Sequence, residues 1–384
     1  IPDIAPLTRM EVQFELGNLA LAAAKHEEAA VWYGKALTAS RTHHNTAVEV
    51  QLLQRLAALH HGLADYDQVN HYGEAALQLA QQIDARHVHD HLLSNLGIIW
   101  ALRGDYAMAQ QYFKRALAAH RQSGNRVQQA YVLSNLGAAV SRVGDYAAAF
   151  AYAQKSLQMM QELGNREEQP STVTNLALFA HRQGDHQTAL RYAQQGLQQS
   201  QQMHQPDMEI IAEKLIGDAL DGLGQWREAA AAYTQAVELS RTFALLHEAI
   251  HALAGLVRVT IAQGGGRAAV MTYVEEILAF HAQASLMTIE EPFAVYLACY
   301  QALATYNDPR AEALLREAYQ QLQSRAALIS DEAMRQSFLT QVAAHHTLLT
   351  LAQVRMQDSS RLMLPPPNSI GEDLGWVNRS SKAR

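Results

Sequence analysis

Apolar residues along this chain fall three and four positions apart, the spacing of one buried helix face, with no alternating period of the kind a half-buried strand shows. The pattern then repeats at a fixed interval. Leu16, Leu56, Leu96, Leu136, Leu176, Ile216 and Leu256 recur every 40 residues, followed at once by Gly17, Ala57, Gly97, Gly137, Ala177, Gly217 and Val257. Thirteen positions beyond the leucine column stand Ala29, Val69, Ala109, Ala149, Ala189, Ala229 and Ala269, and seven further on come Ala36, Ala76, Ala116, Ser156, Gly196, Ala236 and Glu276. Turn signals divide each copy into two helical runs. Gly104-Asp105, Gly144-Asp145, Gly184-Asp185 and Gly224-Gln225 fall within copies, and Gly124-Asn125 and Gly164-Asn165 between them. Glycine supplies a left-handed helix end, and the polar residue after it caps the next helix. Small residues in recurring columns let paired antiparallel helices approach closely. The pattern predicts a stack of helical hairpins, seven of them in register.

The third copy, Leu93-x2-Leu96-Gly97-x2-Trp100 followed by Ala109-x3-Phe113 and Ala116, follows the signature of the tetratricopeptide repeat, and the chain resembles that family over about residues 10–280. Two departures are visible. The period is 40 residues instead of the usual number, about 34, and Gly-Asn stands where the closing proline belongs. Longer repeats of this kind look like those of kinesin light chains, of Pins-type spindle-orientation adaptors, and of the C-terminal arms of large bacterial signalling ATPases and transcription activators. The resemblance implies an all-α, right-handed α-solenoid of tetratricopeptide hairpins with a C-terminal capping helix. The expected layout is a lead-in over 1–9, seven repeats over 10–289, a degenerate eighth repeat over 290–328, a capping helix over 329–357 and a polar, proline-bearing tail over 358–384. Glu290-Glu291-Pro292 reads as a helix start, and Ser330-Asp331-Glu332 as a cap. The run from Ile329 to Leu339 is similar to the closing segment of bacterial multidomain regulators with an upstream ATPase module.

Composition narrows the function classes. With 49% hydrophobic, 7% aromatic and 17% charged residues, the 384-residue chain has the makings of a packed helical array, not of a disordered one. A net charge of -7 argues against a nonspecific nucleic-acid or anionic-membrane surface, which needs a basic excess. The single Cys299 excludes an intramolecular disulfide and a thiolate zinc cluster. No apolar run reaches the roughly 18 residues that span a bilayer. The sequence opens on Ile1 with no signal-peptide pattern behind it, and is expected to be a fragment or processed product of a cytoplasmic protein whose upstream effector domain lies outside it.

Candidate binding chemistry lies on the first helix of each repeat, which in the family forms the concave face. The residue before the leucine column is Glu15, Arg55, Asn95, Asn135, Asn175, Leu215 and Gly255 in turn. An amide offers both donors and an acceptor, so Asn95, Asn135 and Asn175 at one register can pair with the backbone of an extended peptide whatever its side chains. This resembles the groove asparagines of kinesin light chains and Pins-type adaptors. The alternatives are that these amides bond neighbouring helices, or are a residue left by repeat duplication. Arg142 and Arg182 present planar donor forks to a carboxylate, or are merely solvated; Lys214, Arg258, Asp218 and Asp221 add charges of both signs further along.

Other constellations are weaker. His87 and His91 stand one helical turn apart, as zinc-sharing imidazoles do, without the Glu of an HExxH motif, so a solvated helix start is the plainer account. The adjacent pairs His43-His44, His60-His61 and His345-His346 diverge by about 100° on a helix, which argues against shared ligation. Gly264-Gly265-Gly266 lacks the context of a phosphate loop, and Cys299 sits in an apolar run as a small core residue does. No catalytic site, metal or cofactor is expected. The expected function is non-catalytic recognition of a protein or peptide, with no direct nucleic-acid or membrane contact, by a sensor or scaffold arm of a larger bacterial signalling or transcription-regulating protein. Alternatives are a receptor for a small peptide signal and a structural oligomerisation arm.

Overall fold

The structure, a computed structural model, describes residues 5–23, 25–63 and 65–362, with side chains to 355. The described residues form eighteen α-helices and one short 3-10 turn, with no strand. Seven hairpins come first: α1 (Pro6–Ala22) with α2 (His26–Thr42), α3 (Thr46–Gly62) with α4 (Tyr66–Gln82), α5 (Arg86–Arg103) with α6 (Tyr106–Gln122), α7 (Arg126–Ser141) with α8 (Tyr146–Glu162), α9 (Gln169–Arg182) with α10 (His186–Met203), α11 (Pro206–Gly222) with α12 (Trp226–Thr242), and α13 (Leu246–Ala262) with α14 (Arg267–Gln283). An eighth pair follows in α15 (Pro292–Thr305) and α16 (Arg310–Ala327), and then α17 (Glu332–Thr340) and α18 (Ala343–Leu362). Each even-numbered helix up to α12 packs on its own partner and on the first helix of the next pair, so one continuous layer of odd-numbered helices forms the inner wall.

The turn chemistry acts as the spacing requires. Asp65, Asp105, Asp145 and Asp185 each accept a hydrogen bond from the backbone N–H three residues on, capping α4, α6, α8 and α10. Within each hairpin, the small column is matched by what faces it. The Phe113 ring lies on Gly97 and the Tyr233 ring on Gly217, where a Cβ would come within 2.6 Å of ring carbons. Where the first helix carries Gly137 or Ala177 instead, the facing positions are Ala153 and Ala193, both buried. The helices therefore keep a close approach whether or not the second one supplies a ring.

Two helices, α17 and α18, stand where a single capping run over 329–357 was expected, and α18 continues to Leu362, inside the stretch expected as tail; the rest of that tail, 363–384, lies outside the described residues. The break has a local cause. The His345 ring packs on Phe338 and Phe293 at centroid distances of 4.3 and 4.8 Å, and its Nδ1–H donates to the Phe338 carbonyl at 2.8 Å, which folds α18 back beside α15.

The array curves until its end meets its own third and fourth hairpins. Ser330 donates to Asp105 through both its backbone N–H (3.2 Å) and its hydroxyl (3.0 Å), and the Ser337 hydroxyl donates to the Val143 carbonyl at 2.6 Å. Gly144, in the left-handed region at φ 87°, lies against Gln341 so closely that a Cβ would come within 2.5 Å of it. Ala107 and Val143 belong to the same buried core as Ile329, Phe338 and Leu348. Contacts between residues more than 190 positions apart thus close the stack around a central channel.

The small column can be tested at Gly217. Gly217→Ala pushes a methyl into Tyr233, whose hydroxyl is itself held by Asp218, and should lower stability in urea unfolding by about 1–3 kcal/mol. Gly34→Ala, with no atom within 4 Å of the new methyl, should instead raise stability by about 0.5–1 kcal/mol through helix propensity.

Candidate functional site

The channel is walled on one side by α5, α7, α9, α11 and α13, and on the other by the segment 284–291, which joins α14 to α15 and carries the 3-10 turn Leu286–Thr288. This strap runs past the inner wall with Ile289 in extended backbone. Leu286 and Ile289 are buried, and together they anchor the strap by about 3–6 kcal/mol. Beside them, Glu290 and Glu291 reach the arginines of the fourth and fifth hairpins. Arg142 donates to the Glu290 carbonyl oxygen at 2.7 Å and pairs with its carboxylate; Arg182 pairs with Glu291.

The next two hairpins hold a second network. Lys214 Nζ lies 3.2 Å from Asp218, one helical turn on. Arg258 donates to Asp218 at 3.2 Å, to Asp221 at 3.3 Å and to the Tyr233 hydroxyl at 3.0 Å, and Tyr233 donates to Asp218 at 2.8 Å. Burial alone would raise the pKa of Asp218, but Lys214, His181 and Arg258 outweigh it and hold the carboxyl well below the usual range. Glu291 is held down likewise, by Arg182, Lys214 and Arg142 against the effect of burial. The expected basic residues Arg142, Arg182, Lys214 and Arg258 therefore face four carboxylates from this same chain.

The three asparagines are placed differently. Asn95 is exposed on α5, while Asn135 on α7 and Asn175 on α9 are partly buried along the channel. None of the three amides has a side-chain hydrogen-bond partner among the described residues, so the alternative of bonds to neighbouring helices is not what the structure contains. Asn135 opens onto a cavity of about 490 Å³ between α5, α7, α13 and the strap, a size in the usual range of ligand sites, roughly 300–1,000 Å³. Asn175 lines the adjoining space where Arg182 meets Glu291. On the same face as Asn95, Ile98 and Leu102 are 40% and 66% exposed although apolar.

Sequence reasoning missed Ile98, Leu102, the strap carboxylates and His251. His251 lies between the two charged networks, and its Nε2 is buried without a partner. Burial lowers the pKa of His181, His251 and His345 to about 4. The one available signal was charge: two arginines at one register of adjacent repeats, and two adjacent glutamates downstream. Elsewhere, the His91 ring packs against His120 at 5.8 Å, His89 lies 3.2 Å from Asp90, and no cluster of three or more His, Cys, Asp or Glu suited to a metal occurs among the described residues. Gly264 and Gly266 form the α13–α14 turn, and the Cys299 thiol is fully buried, its pKa pushed up to about 12 by desolvation. No helix among the described residues is long and apolar enough to cross a membrane.

The family model of the tetratricopeptide repeat matches residues 90–162 and 169–242. These two stretches, the third to sixth hairpins, are tetratricopeptide repeats. No curated protein matches it by sequence. Among solved structures, the apo form of RapI is similar at 12% identity over 91% of this chain and 98% of its own, with a TM-score of 0.58. A Rap protein complexed with Competence and Sporulation Factor is 12% identical over 92% and 99% of the two chains (TM-score 0.54). NprR in complex with its cognate peptide NprX is 11% identical over 90% and 99% (TM-score 0.52). These likenesses show that the fold of about nine-tenths of this chain is one found in other proteins.

The three histidines give the array a pH dependence with a definite sign. Their folded pKa values, about 4, lie below the ordinary 6.5, so the unfolded chain binds protons first and stability falls as pH drops from about 6.5 towards 4. Asp218 and Glu291 stay ionised across that window. The urea midpoint should be lower at about pH 5 than at about pH 7.5, and His345→Asn should narrow the difference; an equal drop in the variant would remove His345 from the account.

Proposed function

We propose that this tetratricopeptide array is a non-catalytic recognition arm that binds an extended protein or peptide segment along the inner wall of its channel. The observation that carries this is the set of amides at Asn95, Asn135 and Asn175, one per repeat, at one register, and without a side-chain hydrogen-bond partner among the described residues. A polar group on a groove wall that has no internal partner is free to bond a ligand backbone, and repetition at equal intervals suits a chain of repeating amides. The named partner of NprR, a cognate peptide, supports the same class of ligand. We place the arm in the cytoplasm of a bacterium, within a larger signalling or transcription-regulating protein whose effector domain lies outside this chain. The closed channel also favours a second form of this reading, a receptor for a short diffusible peptide, because a ring encloses a short segment more completely than an open groove does.

The segment can be identified by capture with the full chain and its affinity measured by calorimetry. Asn135→Ala should weaken binding by about 1–3 kcal/mol, since the ligand group it served is left without a counterpart. Unchanged affinity would take the asparagines out of the mechanism.

A further inference from the structure

We infer that the open part of this groove selects an uncharged aliphatic side chain, seated on Ile98 and Leu102 of the third repeat, and does not select an acidic one. The inference rests on the proposed binding along the inner wall and deepens it by assigning what the ligand's side chain must be.

Leu102, Arg142 and Arg182 are the same position in the third, fourth and fifth repeats. In the fourth and fifth, that position is already served: Glu290 and Glu291 of the strap neutralise both arginines. An acidic ligand would meet both arginines already paired, and freeing them means lifting the strap, and with it the buried Leu286 and Ile289. Exchanging one carboxylate for another on the same guanidinium returns little free energy against that loss. The strap is therefore a wall of the site and not a removable lid.

What is left open is the cavity at the third and fourth repeats. Its charged groups balance: Arg142 and Arg325 stand against Glu248 and Glu290. Its accessible apolar surface is supplied by Ile98 and Leu102, 40% and 66% exposed, with Ala138 beside them. The strap itself shows the kind of segment this wall accepts, since Ile289, in extended backbone, is buried against the neighbouring stretch of the same channel. An extended ligand bonded to Asn95 and Asn135 would place an aliphatic side chain between them, on this exposed pair.

The test uses pools of acetylated, amidated hexapeptides with Leu or Glu fixed at each position in turn, retained on the full immobilised chain. Wild type should retain the best Leu-fixed pool about tenfold or more over the best Glu-fixed pool. Leu102→Arg, at a side chain two-thirds exposed, restores the arginine of the next two repeats without its carboxylate, and should reverse the preference. Preference of the wild type for Glu-fixed pools, or an unchanged preference in Leu102→Arg, overturns the aliphatic seat while leaving binding on the inner wall intact. A reversal by Leu102→Arg with no loss in Asn135→Ala supports the seat and overturns the amide ladder. Retention of neither set of pools by the wild type overturns both.

Discussion

The close approach of paired helices at the small-residue columns sets everything else in this molecule. Because Phe113 lies on Gly97 and Tyr233 on Gly217, the two helices of a hairpin pack closely, and each pair offers the next a unit of like shape. A constant step between like units makes a regular superhelix, and its curvature accumulates. Over eight pairs the curvature returns Ser330 to Asp105 and Ser337 to Val143. The channel, its strap and the pairing of its charges are consequences of that return.

Closure changes what the charged residues are for. In an open groove, arginines at successive repeats are a binding surface for acids. Here the chain brings its own glutamates to them, and Asp218 gathers Lys214, Arg258 and Tyr233 into one buried cluster. Such a cluster is costly to break, because removing one partner leaves an unpaired charge. It serves to fix the relative placement of inner helices more than to attract a ligand. The asparagines differ in kind, since a neutral amide can stay solvated at little cost until a partner arrives.

The local layer of this architecture was legible in the sequence, and the long-range layer was not. The 40-residue leucine column, the Gly-Asp turns and the small columns are short-range rules repeated many times, so each copy reinforces the others. Asp105 was visible as a helix cap, but its second bond, to Ser330, depends on where the superhelix ends. Glu290 and Glu291 were visible as the acidic start of α15, and Pro292 does occupy its first turn. Their pairing with Arg142 and Arg182 joins positions more than 100 residues apart, and contacts that occur once leave no period to detect. The break between α17 and α18 belongs to the same class, because it is set by Phe338 and His345 packing and not by a proline or glycine.

The bond from Ser330 to Asp105 also bears on how the protein comes apart. An open array of repeats loosens from either end, because each unit is held only by its neighbours. In this chain the last helices are fastened to the third and fourth hairpins, so the span from α5 to α18 is a loop with no free end. The first two hairpins, α1 to α4, stand outside the loop and have only the third to lean on. Local opening should therefore be polar, with amide exchange spreading inward from the amino-terminal hairpins while the looped span opens as a single cooperative unit.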